Sequence, residues 1–299
     1  MAPPQAAEKP PELTVVVGPT ASGKTALAVA LAERSGGEIV SADSVQIYRR
    51  FDVGAGKPSA DERARVRHHL IDAVDPLEPM DAARFAELAD QCIADIRSRA
   101  KTPIVCGGTF LWIRALLFGL SPAPPADPAV RERHRALVEA EGRETLHARL
   151  KEVDALTAKR LAPNDFIRVS RALEVMELTG TPLSSWHEQH GFRERRYSAR
   201  LVGVRRNPEE LTERIAKRAR AMLDAGWVDE VRALIGAGYR DARAMNSVGY
   251  RQIVHAVEGD SIELPALERD IVRATRIFAR RQRTWIRDEP VEWVSGAEL

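Results

Sequence analysis

The segment Gly18–Thr25 constrains this chain more than any other part of its sequence. It reads Gly-Pro-Thr-Ala-Ser-Gly-Lys-Thr, follows the apolar run Leu13–Val17 and precedes the apolar segment Ala26–Leu31. A buried strand, a glycine-rich turn and a helix in this order surround a di- or triphosphate with backbone N–H groups. Lys24 would neutralise the outer phosphates, the Thr25 hydroxyl would bind Mg²⁺, and the N-terminal end of the helix would face the anion. The pattern leaves open whether the phosphate is cleaved, transferred or expelled.

The composition is typical of a globular protein and excludes few functions. The chain has 299 residues, is 44% hydrophobic and 29% charged, and carries a formal net charge of +2. No apolar run approaches the roughly 18–20 residues that cross a bilayer, so we expect no membrane anchor. Residues 1–11 hold four prolines and no apolar core, which predicts a disordered tail and not a signal peptide. Cys92 and Cys106 have no metal-ligand spacing and fit a reducing cytoplasm.

Strand and helix patterns alternate in the first part of the chain. After the phosphate loop come strand Glu38–Ala42, a helix from about Asp81 to Ala100, and strand Ile104–Cys106. This alternation predicts a parallel sheet covered by helices. Ligands of such sheets bind beyond the carboxyl ends of the strands. Three loops should therefore share one edge of the sheet: the phosphate loop, residues 43–46 and residues 107–109.

The pattern changes at the proline-rich stretch 121–128. From there to about Tyr197 the sequence predicts short helices without a strand, of which Phe166–Leu178 is the clearest. Strand character returns at Leu201–Val204. We therefore expect a catalytic core of residues 12–120 and 200–299, and a helical insertion domain at residues 121–199.

Two helices of the returning core are basic. The first runs from about Pro208 to Ala225 and is expected to bury Leu211, Ile215, Met222 and Leu223 and to display Arg214, Lys217, Arg218 and Arg220. The second carries an arginine stripe (Arg273, Arg276, Arg280, Arg283 and Arg287) beside apolar Ile271, Ala274, Phe278 and Trp285. Solvated basic faces are common, but a salt-bridged face would show interleaved acids, and residues 273–287 contain none. Contact with a phosphate backbone is the better account.

Several polar residues are predicted near the phosphate loop. Asp43 follows its strand, where a carboxylate could bind Mg²⁺, hold a ribose or act as a base. An isolated aspartate at a strand end is more often a turn-former or a cap, but the neighbouring phosphate loop favours a functional role. Gly107-Gly108-Thr109 lacks the carboxylate of many nucleoside-triphosphate hydrolases, and its glycines indicate either a close ligand or a plain turn. We expect a structural role for His68-His69, because adjacent histidines cannot easily chelate one metal. Residues 246–251 suit base stacking and phosphate contact, although a turn that begins a helix would look the same.

Seven segments together resemble the tRNA dimethylallyltransferase family and follow the family order along nearly the whole chain. They are Gly18–Thr25, Ser41–Tyr48, His68–Asp72, Gly107–Thr109, Arg168–Val175, Ser247–Arg251 and Arg281–Arg287. The resemblance implies an α/β fold, a P-loop NTPase-like parallel sheet flanked by helices, with an all-helical insertion domain. It implies transfer of a dimethylallyl group from its diphosphate to the exocyclic amine of the adenine 3′-adjacent to the tRNA anticodon, with release of diphosphate.

The resemblance also assigns roles to residues. Asp43 would be the general base, Lys24 and Arg218 would contact the diphosphate, and Thr25 would reach the Mg²⁺ cofactor. Although the loop is of the nucleotide- and ATP-binding type, it would hold the isoprenoid diphosphate through Gly18, Pro19, Thr20, Ala21, Ser22, Gly23, Lys24 and Thr25. The positions that match tRNA contacts are Asp43, Ser44, Val45, Gln46, Thr109, Arg131, Ile167, Arg168, Val169, Ser170, Arg171, Asn246, Ser247, Val248, Gly249, Tyr250, Arg251, Arg280, Arg281, Gln282, Arg283, Thr284, Trp285, Ile286 and Arg287. The expected partner is the anticodon stem-loop of tRNA, and a monomer is the default because the stripe offers no symmetric apolar seam.

Three positions depart from the family pattern. Ala55-Gly56 stands where Thr-Ala is more frequent, Trp112 stands where tyrosine is frequent, and Ile167 replaces a common glutamine. We expect none of them to touch the phosphate site or the base. Three other functions could use the same loop: prenylation of free adenine nucleotides, a small-molecule kinase, or a non-catalytic RNA-binding module. The insertion and the arginine stripe argue against the first, and the intact Gly23-Lys24-Thr25 and Asp43 argue against the third.

Overall fold

A computed structural model describes residues 12–191, 194–259 and 262–296. The tail predicted for residues 1–11 lies outside these ranges. Contacts divide the chain into a core unit (Met1–Phe118 and Arg195–Leu299) and a helical unit (Gly119–Glu194). Within the described ranges, no helix combines the length and apolar character needed to span a bilayer.

The core unit is built on a six-stranded parallel sheet, as the alternating pattern predicts. Its strands follow the order β3-β2-β4-β1-β5-β6, and every neighbouring pair is parallel. Each strand predicted from the sequence is present. The bounds are β1 (Glu12–Val17), β2 (Glu38–Ala42), β3 (His68–His69), β4 (Pro103–Gly107), β5 (Ser198–Arg205) and β6 (Val291–Ser295).

Helices cover the sheet and make up the helical unit. Numbered along the chain, they are α1 (Lys24–Ser35), α2 (Ala60–Arg65), α3 (Ala82–Ser98), α4 (Phe110–Phe118), α5 (Pro128–Glu141), α6 (Arg143–Val153), α7 (Ala155–Arg160), α8 (Phe166–Thr179), α9 (Leu183–His190), α10 (Pro208–Asp224), α11 (Trp227–Gly236), α12 (Tyr250–Glu258) and α13 (Leu264–Ile286), with a 3₁₀ turn at Arg243–Asn246. Leu27 and Ala28 of α1 pack on Val16, Ile104 and Val202 of the sheet in one buried cluster. Burial of these apolar side chains, rather than helix propensity, fixes α1 on the sheet.

The central strands end level with one another. Val17 of β1 and Ala42 of β2 both pair with Gly107 of β4. The phosphate loop, the turn after β2 and the loop after β4 therefore leave the same edge, and the prediction that they share it is confirmed.

The helical unit contains α5–α9 and, among its described residues, no strand. Leu146 and Leu150 of α6 pack against Val169, Ala172 and Leu173 of α8. Because these apolar residues recur at helical spacing, the segment forms its own small core.

The side chains that α13 buries are not all the predicted ones. Ile271 is buried, but Phe278 and Trp285 are 40% and 49% exposed. Leu267, Ala279, Gln282 and Ile286 are buried in their place. Phe278 is exposed because it faces a cavity and not packed core. On α10, Leu211 and Ile215 are buried as expected, whereas Met222 and Leu223 are half-buried.

Candidate active site

The phosphate loop is held by side chains from distant parts of the chain. The Nε of Arg214 donates a 2.8 Å hydrogen bond to the Ala21 carbonyl. The Nε of Arg206 donates to the Ser22 carbonyl over 3.1 Å. The N–H of Thr20 donates to Oε1 of Gln282 over 2.8 Å. This last contact takes up the N–H of Thr20, which therefore does not face the cavity as a free donor.

A cavity of about 420 Å³ lies where the loops leave the sheet. Lys24, Thr25, Asp43 and Arg218 all line it. Burial lowers the pKa of Lys24, while Cys106 and Asp43 oppose that shift. The structure thus brings the four predicted catalytic residues to one cavity, and a bound anion would favour the charged form of Lys24.

Asp43 is held in a defined orientation by its own turn. Its Oδ1 accepts hydrogen bonds from the N–H groups of Val45 (2.9 Å) and Gln46 (3.2 Å). The turn is tied to the loop after β4, because Thr109 Oγ1 accepts a 3.1 Å bond from the Ser44 N–H. The turn fixes the orientation of the carboxylate through these two backbone donors. It also leaves Oδ2 for a ligand.

Cys106 also lines the cavity, but it is a poor nucleophile there. Burial raises its pKa to about 12. The thiolate is the reactive form of cysteine. Its Sγ lies 3.7 Å from the Lys24 carbonyl, so Cys106 acts as part of the wall.

The segment 52–58 reaches the cavity, contrary to the expectation for Ala55-Gly56. Gly54, Ala55 and Gly56 line it. A Cβ placed on Gly56 would lie 2.0 Å from Nη2 of Arg218, so the guanidinium lies directly against this glycine. The departure from the family pattern therefore touches a predicted diphosphate contact. The cause is that Arg218 and Met222 of α10 lie against Gly56, a contact between distant parts of the chain that the local sequence does not indicate.

The sequence patterns do not place four further wall residues at the site. Trp227, Met222, Phe278 and His68 line the cavity. Trp227 and Phe278 lie on helix faces that look like ordinary core in the sequence. A structural role was expected for the two histidines. His69 fits it, because its Nε2 lies 2.7 Å from the buried Glu38 carboxylate. Burial lowers the pKa of His68 and favours its neutral form.

Some residues of the core unit that are predicted to contact tRNA are buried, and others are exposed. Tyr250 is fully buried, with its ring 5.4 Å from Trp227 and its hydroxyl donating to Glu230 over 2.6 Å, so it cannot stack on a base. Gly249, Gln282 and Ile286 are also buried. The side chains that stay exposed are Ser44, Asn246, Arg251, Arg280, Arg281, Arg283, Thr284, Trp285 and Arg287.

In the helical unit, two of the residues predicted to contact tRNA are buried, and two arginines form ion pairs within the protein. Val169 and Ser170 are only 1% and 2% exposed. Arg131 and Arg171 both pair with the buried Glu174, at 3.0 and 2.6 Å. Burial would raise the pKa of Glu174, but hydrogen bonds from these arginines lower it. Ile167 and Arg168 are the members of this set that remain exposed.

The arginine stripe does not face the cavity. Ile271, Phe278 and Gln282 of α13 line the cavity with Arg281. The stripe lies on the other side of the helix and lines two grooves of about 340 and 530 Å³ against α10 and the end of β5. The arginines of the stripe share one exposed face, as predicted. A ligand bound to that face would not lie in the cavity.

The donor groups fit a magnesium ion bound together with a diphosphate. The described residues contain no group of three or more His, Cys, Asp or Glu side chains arranged to hold a metal. Mg²⁺ is commonly bound through one or two protein oxygens, substrate phosphates and water. The Thr25 hydroxyl on the cavity wall suits that arrangement.

Known proteins resemble the chain over nearly its full length. The family model described as IPP transferase matches residues 46–289. The chain is 64% identical to a tRNA dimethylallyltransferase of Sorangium cellulosum, over 96% of this chain and 91% of that protein. It is 48% identical to one of Myxococcus xanthus, over 94% and 91% of the two chains. A crystal structure of a tRNA isopentenylpyrophosphate transferase from Bacillus halodurans aligns with a TM-score of 0.69 at 34% identity, covering 96% of this chain and 90% of that one.

The parallel sheet and its glycine-rich loop define a protein of the P-loop NTPase-like class. Within that class, the chain belongs to the IPP transferase family.

Proposed function

We propose that this protein is an enzyme that transfers a dimethylallyl group from dimethylallyl diphosphate to tRNA. One observation carries the proposal: a cation set, Lys24 and Arg218, and a carboxylate, Asp43, line a single cavity. Anion binding and proton removal are the two tasks of such a transfer. Relatives that carry the name tRNA dimethylallyltransferase support the same reaction. The acceptor we propose is the exocyclic amine of the adenine 3′-adjacent to the anticodon.

The phosphate loop would stabilise the leaving group. When the carbon–oxygen bond of the donor breaks, positive charge spreads over the allylic group and negative charge collects on the diphosphate. Lys24, Arg218 and the free N–H groups at the start of α1 would stabilise that charge. Thr25 would hold Mg²⁺, which supplies further positive charge when bound.

Asp43 would act on the acceptor. The amine of adenine is a poor nucleophile because its lone pair is delocalised into the ring. As the new nitrogen–carbon bond forms, the amine loses a proton, which Asp43 would take. Because Oδ1 is occupied by the N–H groups of Val45 and Gln46, we assign this step to Oδ2. Such general-base catalysis is worth about 10²–10⁴-fold.

The adenine must leave its stack to reach the cavity, which costs a few kcal/mol. Arg251 and Arg281 are exposed and line the cavity wall, where they can meet the extruded nucleotide. The arginine stripe would contact phosphates of the anticodon stem-loop farther from the reacting base. We further propose that the protein works as a monomer in the cytoplasm, where its two free cysteines stay reduced.

A parallel assay tests the reaction against its rivals. Purified protein is incubated with labelled dimethylallyl diphosphate and Mg²⁺, and unmodified tRNA, AMP or ADP is offered as the acceptor. A tRNA with guanine in place of the target adenine serves as the control. Label in the adenine-containing tRNA alone supports the proposal. Label in AMP or ADP, or transfer of phosphate from γ-labelled ATP to a small acceptor, would overturn it.

A further inference from the structure

Two parts of the cavity wall that lie far apart in the sequence both contact the first turn of α11. The donor wall is the segment 52–56, three residues of which line the cavity beside Arg218. The acceptor wall is the segment 246–251, four residues of which line the cavity, among them the exposed Arg251. In the proposed function, Arg218 binds the diphosphate of the prenyl donor and Arg251 meets the extruded nucleotide. Because transfer requires the prenyl carbon and the amine to be aligned, it depends on how the two walls are placed relative to each other.

Glu230 of α11 is hydrogen-bonded to both walls. Its Oε2 accepts from the backbone N–H groups of Asp52 (2.8 Å) and Val53 (2.6 Å), and its Oε1 accepts from that of Gly54 (3.3 Å). The same Oε1 accepts a 2.6 Å bond from the hydroxyl of Tyr250 in the acceptor wall. Burial and the adjacent carboxylate raise the pKa of Tyr250, so the hydroxyl keeps its proton and remains a donor. One carboxylate therefore joins the two walls.

Trp227 lies one turn before Glu230 on α11 and occupies the space between the same two walls. A Cβ on Gly54 would lie 1.8 Å from the indole Nε1, and a Cβ on Gly249 would lie 1.9 Å from Cη2 of the ring. The ring also packs edge to face against Tyr250, with the centroids 5.4 Å apart. Because packed side chains are nearly incompressible, Trp227 keeps the walls apart while Glu230 ties them together. The separation of the walls is thus fixed from both sides.

We propose that Glu230 is a positioning residue of this enzyme: its carboxylate sets the distance between the donor wall and the acceptor wall, and so aligns the prenyl carbon with the adenine amine. This inference rests on the proposed function. Glu230 is not among the residues that line the cavity, and it contacts no substrate in this scheme. The main groups assigned to diphosphate and tRNA binding lie on the phosphate loop, α10 and α13. Loss of Glu230 should therefore slow the transfer step and leave the affinity for each substrate nearly unchanged.

Three variants test this role by single-turnover kinetics at saturating dimethylallyl diphosphate and tRNA. Glu230→Ala removes both links and should lower the rate about tenfold or more, since misplacement by about 1 Å can cost a reaction as much as 10²-fold. Tyr250→Phe removes the hydroxyl that links Glu230 to the acceptor wall and should lower the rate about threefold or more. Asp229→Ala is the control: it removes a neighbouring carboxylate that is exposed and pairs with Arg232 on the surface, and it should keep the wild-type rate.

A double variant shows whether the two residues act as one link. Without Glu230 the Tyr250 hydroxyl has lost its acceptor, so adding Tyr250→Phe to Glu230→Ala should lower the rate by less than about twofold. Calorimetry with inorganic pyrophosphate and Mg²⁺, and filter binding with tRNA, should give affinities close to those of the wild type for every variant. If Glu230→Ala does not fold, Glu230→Gln replaces it, because its amide offers one acceptor oxygen in place of two. Glu230→Gln should slow the transfer as Tyr250→Phe does.

The rate and the affinities together separate a positioning role from a structural one. A lower melting temperature of the Glu230 or Tyr250 variants with the wild-type rate would overturn the inference. Weaker binding of either substrate with an unchanged rate at saturation would also overturn it, and so would full, independent losses in the double variant. Each of these results leaves the proposed function standing if the wild type prenylates tRNA, whereas a wild type that prenylates no tRNA contradicts the proposed function itself.

Discussion

Gln282 of α13 accepts a 2.8 Å hydrogen bond from the backbone N–H of Thr20, at the other end of the chain. The same carboxamide donates from Nε2 to the Gly108 carbonyl over 3.0 Å. It approaches so closely that a Cβ on Gly108 would lie 2.4 Å from Nε2. One buried side chain therefore holds the phosphate loop against the loop after β4. The sequence left the glycine pair open between a close ligand and a plain turn, and the structure shows that Gly108 admits the side chain of Gln282.

Gln282→Leu should damage the phosphate site without affecting tRNA affinity. The substitution leaves the Thr20 N–H and the Gly108 carbonyl without partners, which costs about 1–3 kcal/mol of stability. It also frees the phosphate loop to move, so KM for dimethylallyl diphosphate should rise by about tenfold. Steady-state kinetics and chemical denaturation measure the two effects. Thr284→Val, at an exposed position of the same helix, is the control and should change neither. A lower stability with an unchanged donor KM would reduce Gln282 to a purely structural role.

Asp43→Asn separates the base from the turn that carries it. An asparagine Oδ1 can still accept from the Val45 and Gln46 N–H groups, so the turn should persist. The amide cannot take a proton, and the single-turnover rate should fall by about 10²–10⁴-fold. The Kd for tRNA should stay within several-fold. Asp43→Ala loses the turn as well and provides the comparison: if Asn retains the wild-type rate, Asp43 is not the base.

The sequence predicted those features that depend on local pattern. The strands and the phosphate loop were identified correctly because an apolar run, a glycine-rich turn and a helix follow one another within about 20 residues. The intramolecular contacts of Tyr250 and Gln282 were not predicted, since their partners lie at least 20 residues away in the chain. A tyrosine beside a glycine and an arginine has the same local sequence whether it stacks on a base or, as here, packs edge to face against Trp227. Phe278 illustrates the reverse case: helical spacing predicts burial but cannot distinguish a core from a cavity wall.

The arginine stripe should supply salt-dependent tRNA affinity and little catalysis. Arg280 and Arg283 are exposed on a face of α13 that does not line the cavity. Replacing both with alanine should weaken tRNA binding and reduce the slope of log K against log salt by about 1–2, since each phosphate contact contributes about 0.7–0.9. Filter binding over a salt series measures this slope, and the single-turnover rate at saturating tRNA should be unchanged.

A charge-matched control removes two exposed arginines elsewhere. Arg232 and Arg240 pair with Asp229 and Glu258 on the surface, and their replacement with alanine changes the net charge by the same amount. It should leave the salt slope as it is in the wild type. Equal slopes for the two double variants would show that the arginines of the stripe are solvated and do not contact tRNA phosphates.

Glu38 should make the stability of the core unit depend on pH. Its carboxylate is 2% exposed and accepts hydrogen bonds from Arg99 (2.5 Å) and Lys101 (2.7 Å). The Arg99 guanidinium, with help from Lys101 and His69, holds the pKa of Glu38 well below its ordinary value of 4.5. A carboxylate with a lower pKa in the folded than in the unfolded state stabilises the fold above about pH 4.5, and this contribution is lost as the pH falls.

Glu38→Gln should therefore cost about 1–3 kcal/mol at pH 7 and progressively less below pH 4.5. Denaturant titrations of both proteins across this range measure the difference. Glu33→Gln, which removes an exposed partner of Arg65, should have little effect at any pH. A difference between wild type and Glu38→Gln that stays constant as the pH falls would show that the contacts of Glu38 do not depend on its charge.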